Sequence, residues 1–147
     1  MAIRYYNDDC KFVLKNRRIC TNWLKECANN EGFKIGDISY VFCSSQKHIE
    51  INRQYLSHDY YTDIITFDET EYPSKSGEIG VVNGDLFIDI ETVKLNAKEF
   101  DSDFITELHR VIVHGLLHLC GQKDKTDNES KEMRTKENIY LTKLSGY

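Results

Sequence analysis

The sequence predicts an α+β fold, a single small domain in which about four strands form a mixed sheet packed with about five helices. Two observations lead there. Strand-like and helix-like hydrophobic periods are interleaved as far as Phe100, and beyond Asp101 the pattern is helical almost throughout. The chain has 147 residues and no repeat, low-complexity tract or linker, so it reads as one domain, residues 1–147, large enough to bury a real core. With 40% hydrophobic residues, 29% charged residues and a single Pro, its composition is that of a globular protein rather than a disordered one.

Taken in order, Ile19/Cys20, Trp23/Leu24 and Cys27/Ala28 recur at helical spacing behind Asn16, the expected N-cap, with Gly32 shortly beyond. Ile38 to Cys43 is short, apolar and rich in strand formers, and Ser45 opens a helical pattern carried by Ile49, Asn52 and Leu56. Asp63 to Asp68 is a β-branched run, and from Gly84 to Ile90 apolar residues alternate, so both read as strands. The stretch from Glu69 to Gly77, which contains Pro73, reads as the one sizeable loop. Val93, Asn96, Ala97 and Phe100 suit a short helix.

Asp101-Ser102-Asp103 can cap the next helix, from Phe104 to about Cys120. Ile105, Leu108, Ile112, Leu116 and Leu119 give it one apolar face, and Val111, Val113 and Leu117 widen that face until little polar surface is left. Such a helix belongs in the middle of the fold. A last amphipathic helix starts at the capping box Thr126/Glu129 and carries Met133, Ile139/Tyr140 and Leu144, with Glu132 and Lys136 as an i,i+4 pair.

The N-terminus lacks the basic end and apolar run of a leader, and no segment has the length needed to span a membrane, so a soluble cytoplasmic protein is the simplest expectation. Five cysteines, an odd number with no Cys-x-x-Cys pair, argue against a disulfide framework or a zinc ribbon. A formal charge of -5 gives no overall attraction to nucleic acid, so such a partner would need a local basic patch.

The chemistry concentrates at the end of the central helix. His114 and His118 are four residues apart and face the same side, one turn from each other. Gly121 can take the left-handed conformation that ends a helix, and Asp124 then returns towards the two imidazoles. Two imidazoles and one carboxylate leave a coordination position open, as in catalytic rather than structural zinc sites. One zinc ion per chain is the expected cofactor, with another divalent transition metal as the alternative. The purely structural reading has Asp124 in a solvated turn with Lys123, Lys125 and Asp127 and the histidines merely buried; two neutral imidazoles without partners on so apolar a helix would be costly. A zinc protease of the His-Glu-x-x-His type uses its Glu as general base, and that place is Gly115. A helical Gly costs about 1 kcal/mol relative to Ala, which suits close approach of substrate or backbone there, or close helix packing.

The run from His114 to Gly121 resembles the hallmark of the YbeY endoribonucleases, His-Gly-x-Leu-His-Leu-x-Gly followed by a third ligand. Asn52, Tyr55 and Asp59, the run Thr62 to Phe67, and Gly84-Asp85-Leu86 resemble that family's upstream blocks, so the likeness covers roughly Ile49 to Tyr140. The resemblance implies a zinc-dependent, single-strand-specific endoribonuclease of small-subunit rRNA maturation and ribosome quality control. Its partners would be single-stranded RNA or rRNA and the small ribosomal subunit or its assembly factors.

The sequence departs from the family's pattern twice. The third ligand, usually His, is Asp124, and the Arg that follows the motif Tyr is Leu56. Arg53, one helical turn earlier, is the candidate substitute. Lys15, Arg17, Arg18 and Lys25 near or on the first helix, with Lys123 and Lys125 beside Asp124, are candidate RNA contacts. Two other classes stay open: a zinc metallopeptidase-like hydrolase with a relocated base, and a non-catalytic ribosome-associated factor with a structural metal.

Overall fold

A computed structural model describes residues 2–56 and 62–147. In chain order the elements are β1 (Ala2–Asp8), α1 (Arg17–Asn30), β2 (Phe33–Cys43), α2 (Ser45–Leu56), β3 (Ile64–Asp68), β4 (Gly80–Asp89), α3 (Ile90–Glu99), α4 (Phe104–Leu119) and α5 (Asp127–Leu144). The strands form one sheet in the order β1-β2-β4-β3. The β1/β2 and β2/β4 pairs are parallel and β3/β4 is antiparallel, which gives the mixed sheet that was expected. Asp59, one of the motif positions, lies outside the described residues.

Strand β1 has no counterpart in the sequence reading. It is an edge strand in which only Ile3 is buried, so the two-sided apolar pattern that reveals a central strand is missing. Strand β2 starts at Phe33, five residues earlier than expected, because Gly36-Asp37 forms a register irregularity inside the strand and not a turn before it. A Cβ on Gly36 would strike the Asn83 side chain, whose Oδ1 accepts from the Asp37 amide at 2.8 Å. The Glu69–Gly77 stretch is irregular apart from a single bridge between Glu71 and Val81.

Capping follows the sequence in part. Thr126 and Glu129 form the reciprocal box at the start of α5. Asn16 precedes α1 but adopts a left-handed conformation with φ 58°, and its side chain makes no capping bond; its carbonyl instead accepts from the Cys20 amide. Asp103 stands at the N-cap of α4, also without a side-chain cap bond. Lys136 turns away from Glu132 and pairs with Glu31 at 2.5 Å, joining α5 to the end of α1.

The core lies between one face of the sheet and helix α4. Leu108, Ile112, Leu116 and Leu119 are fully buried against a sheet face that includes Ile38, Tyr40, Leu86 and Ile88. Ile105, expected on that apolar face, is 48% exposed, while its neighbour Phe104 packs against the core. Two buried polar tips bind backbone carbonyls across the core: Tyr40 Oη donates to Ile112 O at 2.9 Å, and Trp23 Nε1 to Tyr140 O at 2.7 Å. Gly115 lets α4 settle onto the sheet. A Cβ there would collide with Leu86 Cδ2 and meet Ile64 Cδ1 at 2.7 Å, so close helix packing accounts for the helical glycine.

Gly115→Ala should gain about 1 kcal/mol of helix propensity and lose about 1–3 kcal/mol to overpacking. Because Leu86 is fully buried and cannot move aside, the expected outcome is a lower urea midpoint at unchanged slope, and a variant as stable as wild type would contradict it. A second expectation concerns pH. Burial lowers the pKa of both His48, whose Nε2 bonds Phe87 O at 3.0 Å, and His109, whose ring packs edge-on against Trp23. Below about pH 6.5 the unfolded chain takes up protons that these folded imidazoles resist, so their contribution to stability falls as pH drops. His109→Phe should therefore flatten the decline in melting temperature between neutral and mildly acidic pH.

Candidate metal centre

Three consecutive pieces of chain deliver the site. Helix α4 carries His114 and His118 in its last turns, on the one stripe of that helix that remains half exposed. Gly121, at φ 91°, then reverses the chain, its amide donating to His118 O and the Gln122 amide to Leu117 O, both at 2.9 Å. The return loop brings back Asp124, whose carbonyl accepts from Ser130 Oγ at 2.8 Å in the first turn of α5.

Asp124 Oδ2 stands 3.4 Å from His114 Nε2 and 3.4 Å from His118 Nε2, and one atom from each residue lies within 4.8 Å of the others. The two rings are nearly perpendicular at 83°, with centroids 4.6 Å apart. Ligand atoms about 2.0–2.2 Å from one tetrahedral ion stand roughly 3.4 Å from each other, so the three side chains could hold a single metal ion with little adjustment.

A fourth residue fixes the first. Glu137 of α5 is only 4% exposed, and its Oε2 accepts from His114 Nδ1 at 2.7 Å. That bond places the His114 proton on Nδ1 and leaves the Nε2 lone pair facing Asp124, the carboxylate–histidine arrangement that orients metal-binding imidazoles. Arg110 Nη1 bonds the other Glu137 oxygen at 3.0 Å, and Arg134 approaches it at 3.6 Å. Burial would raise the Glu137 pKa, but His114 and Arg110 outweigh it and hold the carboxylate below its usual range. At His114 burial pulls down, and the hydrogen bond and charge of Glu137, with Asp63 and Asp124, raise its pKa above the ordinary value. His118 goes the other way, lowered by burial and by its neighbour His114, so it is neutral and ready to ligate at neutral pH.

Two hollows meet at the triad. One, about 210 Å³, runs towards Glu107, Arg110 and Glu137; the other, about 480 Å³, runs along β3 past Thr62, Thr66 and Asp68. Asp63 lines both, with its carboxyl pKa raised by burial. The hollow along β3 is lined by Asp63, Asp68 and Asp124 and, among the described residues, by no Lys or Arg. Without a cation such a lining repels phosphate; a bound metal would reverse that.

The other expected contacts are not gathered here. Arg53 is exposed in the last turn of α2 and lines neither hollow. Lys123 and Lys125 are exposed in the return loop on either side of Asp124. Arg17, Arg18 and Lys25 line a separate groove against β1, at the sheet edge opposite β3, and Lys15 is exposed outside it. The sequence reading passed over Glu137 and Arg110. A signal for Glu137 existed: it falls between Met133 and Tyr140 on the buried stripe of α5, where a lone carboxylate needs a partner.

Residues 3–145 match the family model described as Endoribonuclease YbeY. An Endoribonuclease YbeY of Parabacteroides distasonis is 49% identical over 144 residues, covering 98% of this chain and 96% of that protein. Those of Phocaeicola vulgatus and Bacteroides thetaiotaomicron are each 46% identical, covering 97% and 96% of this chain and 99% and 98% of theirs. Among solved structures, the solution structure of TM1509 from Thermotoga maritima superposes with a TM-score of 0.68 at 28% identity, over 99% of this chain and 90% of that one.

If Glu137 orients His114 for a metal, Glu137→Gln should weaken zinc affinity by about 10- to 100-fold in chelator competition. Equal affinity in wild type and variant would count against that assignment.

Proposed function

The chain belongs to the Endoribonuclease YbeY family, and from that premise we propose that residues 1–147 form one metal-dependent ribonuclease domain that cuts single-stranded RNA. The observation that carries the metal assignment is the pair of 3.4 Å separations from Asp124 Oδ2 to the Nε2 atoms of His114 and His118. These three residues are the proposed ligands. Zinc is the first choice; the Asp124 carboxylate lowers the charge of the site and shifts its preference towards harder divalent metals.

When bound, the metal supplies a Lewis acid for phosphodiester hydrolysis. The chain does the rest. Glu137 holds the His114 proton on Nδ1, and Arg110 keeps Glu137 ionised and in place. Asp63, whose pKa is raised where the two hollows meet, is suited to carry a proton beside the scissile bond. Arg53 lies one helical turn before Leu56, where the family's motif has Arg, and is assigned an RNA contact outside the hollows. Small-subunit rRNA as substrate, the small ribosomal subunit or its assembly factors as partner, and a cytoplasmic location belong to the same proposal. Among the described residues no helix is long and apolar enough to cross a membrane.

The peptidase reading has less support. Gly115 occupies the place of a zinc protease's general base, and Leu86 and Ile64 fill the space a side chain there would need.

The test is metal analysis of chelator-free protein, followed by comparison of wild type with His118→Ala on single-stranded RNA and on an unstructured protein. About one metal per chain is expected, with RNA cleavage reduced at least about 100-fold in the variant, the scale of a lost catalytic group. Metal-free wild type that still cleaves RNA would overturn the reading. An RNA-inert wild type whose variant unfolds would favour a structural metal, and cleavage of protein alone would favour a peptidase.

A further inference from the structure

A second charged surface lies away from the metal centre. Arg4 of β1 and Arg17, Arg18 and Lys25 of α1 line a groove of about 630 Å³ that contains no acidic residue, in a chain whose formal charge is -5. Among the described residues none of these four cations is within 4.0 Å of a carboxylate. Arg17 and Arg18 form the first turn of α1, which has no acidic residue and no side-chain cap. The helix macrodipole presents its positive end there, so two arginines oppose it, and an anion would be drawn by the helix and the side chains together. Tyr6, 50% exposed, borders the same groove and offers an aromatic face.

We propose that this groove anchors the phosphodiester backbone of single-stranded RNA at a distance from the cleavage site. The proposal rests on the ribonuclease reading and deepens it. The acidic hollow along β3 attracts phosphate only through its metal, so RNA affinity beyond the scissile bond has to come from elsewhere on the surface. The groove flanks β1 and the hollow flanks β3, the two edges of the four-stranded sheet. Three strand spacings of about 4.8 Å separate those edges, roughly 14 Å, so only RNA long enough to cross the molecule engages both.

An acidic polypeptide adding to the free edge of β1 is the competing occupant. The cations argue against it. Arg17, Arg18 and Lys25 run along the helix over about two turns, and only Arg4 comes from the strand, which suits a backbone with repeated charges lying along α1. An exposed aromatic beside such cations is the pairing used for unpaired bases.

The test uses full-length, metal-loaded protein and the double variant Arg17→Gln/Arg18→Gln, with Arg17→Lys/Arg18→Lys as the charge-preserving control. Cleavage is measured on single-stranded RNAs of about 3 and about 24 nucleotides; at about 3.4 Å per stacked nucleotide the first falls short of the distance between the edges and the second exceeds it. Binding of the longer RNA is followed against salt in the His118→Ala background. In wild type the longer RNA should have the higher kcat/KM. The Gln pair should reduce that length advantage at least fivefold and make the slope of log K against log salt shallower by about 1.4, two contacts at about 0.7 each. The Lys pair should restore both. An unchanged length advantage and slope would overturn the groove, as would equal loss on both RNAs, or displacement by poly-glutamate in preference to RNA of equal charge. A wild type that neither binds nor cleaves RNA would remove the ribonuclease reading itself, a result seen before any groove variant is made.

Discussion

Helix α4 lies as close to the sheet as it does because residue 115 has no side chain. Leu86 and Ile64 occupy the volume a Cβ would need, and His114 and His118 flank that point of contact. The close approach therefore sets the height of both imidazoles above β3, the strand that supplies Ile64, Thr66 and Asp68 to the cleft wall. The glycine's helix-propensity penalty is offset by burial of the fully apolar face of α4, which removes most of that helix from water. Packing and ligand placement are here one constraint.

Electrostatics divides the molecule. The candidate metal centre gathers carboxylates, with Asp63, Asp124 and Glu137 around two histidines, and a cation held by the triad would join Arg110 in balancing them. The two histidines are shifted in opposite directions because only His114 has a buried carboxylate at its far nitrogen. Across the sheet the α1–β1 groove has the reverse composition, four cations and, among the described residues, no acidic side chain in its lining. A chain with net charge -5 thus keeps one cluster of positive charge away from the candidate metal centre.

The parts of the fold that were legible in the sequence are those with strong local periodicity or a reciprocal cap. The long apolar helix, the glycine turn at 121 and the Thr126/Glu129 box all appear where their residues indicate. Strand β1 was not legible, because an edge strand buries one residue and shows no alternation worth reading. Asn16 was half legible: the helix starts after it, but its left-handed backbone turns the side chain away from the amides it could cap. At the site, His114, His118 and Asp124 could be read from spacing alone, since one helix and one short loop connect them. Glu137 could not, because its relation to His114 depends on how α5 packs on α4, 23 residues along the chain. Arg17, Arg18 and Lys25 were recognisable as a basic cluster, but only the sheet order puts them at the edge away from the metal centre.

The return loop that carries Asp124 begins at a glycine reversal and ends in a capping box, and Ser130 holds its carbonyl between them. A segment so short and so tied has few conformations to lose. Asp124 is therefore presented to the two imidazoles at a high effective concentration, and the free energy of capturing an ion there would not be consumed in ordering chain. For a metal held by the triad the loop would act as a preformed jaw, so that loading and release would be local exchanges that leave the helical scaffold standing.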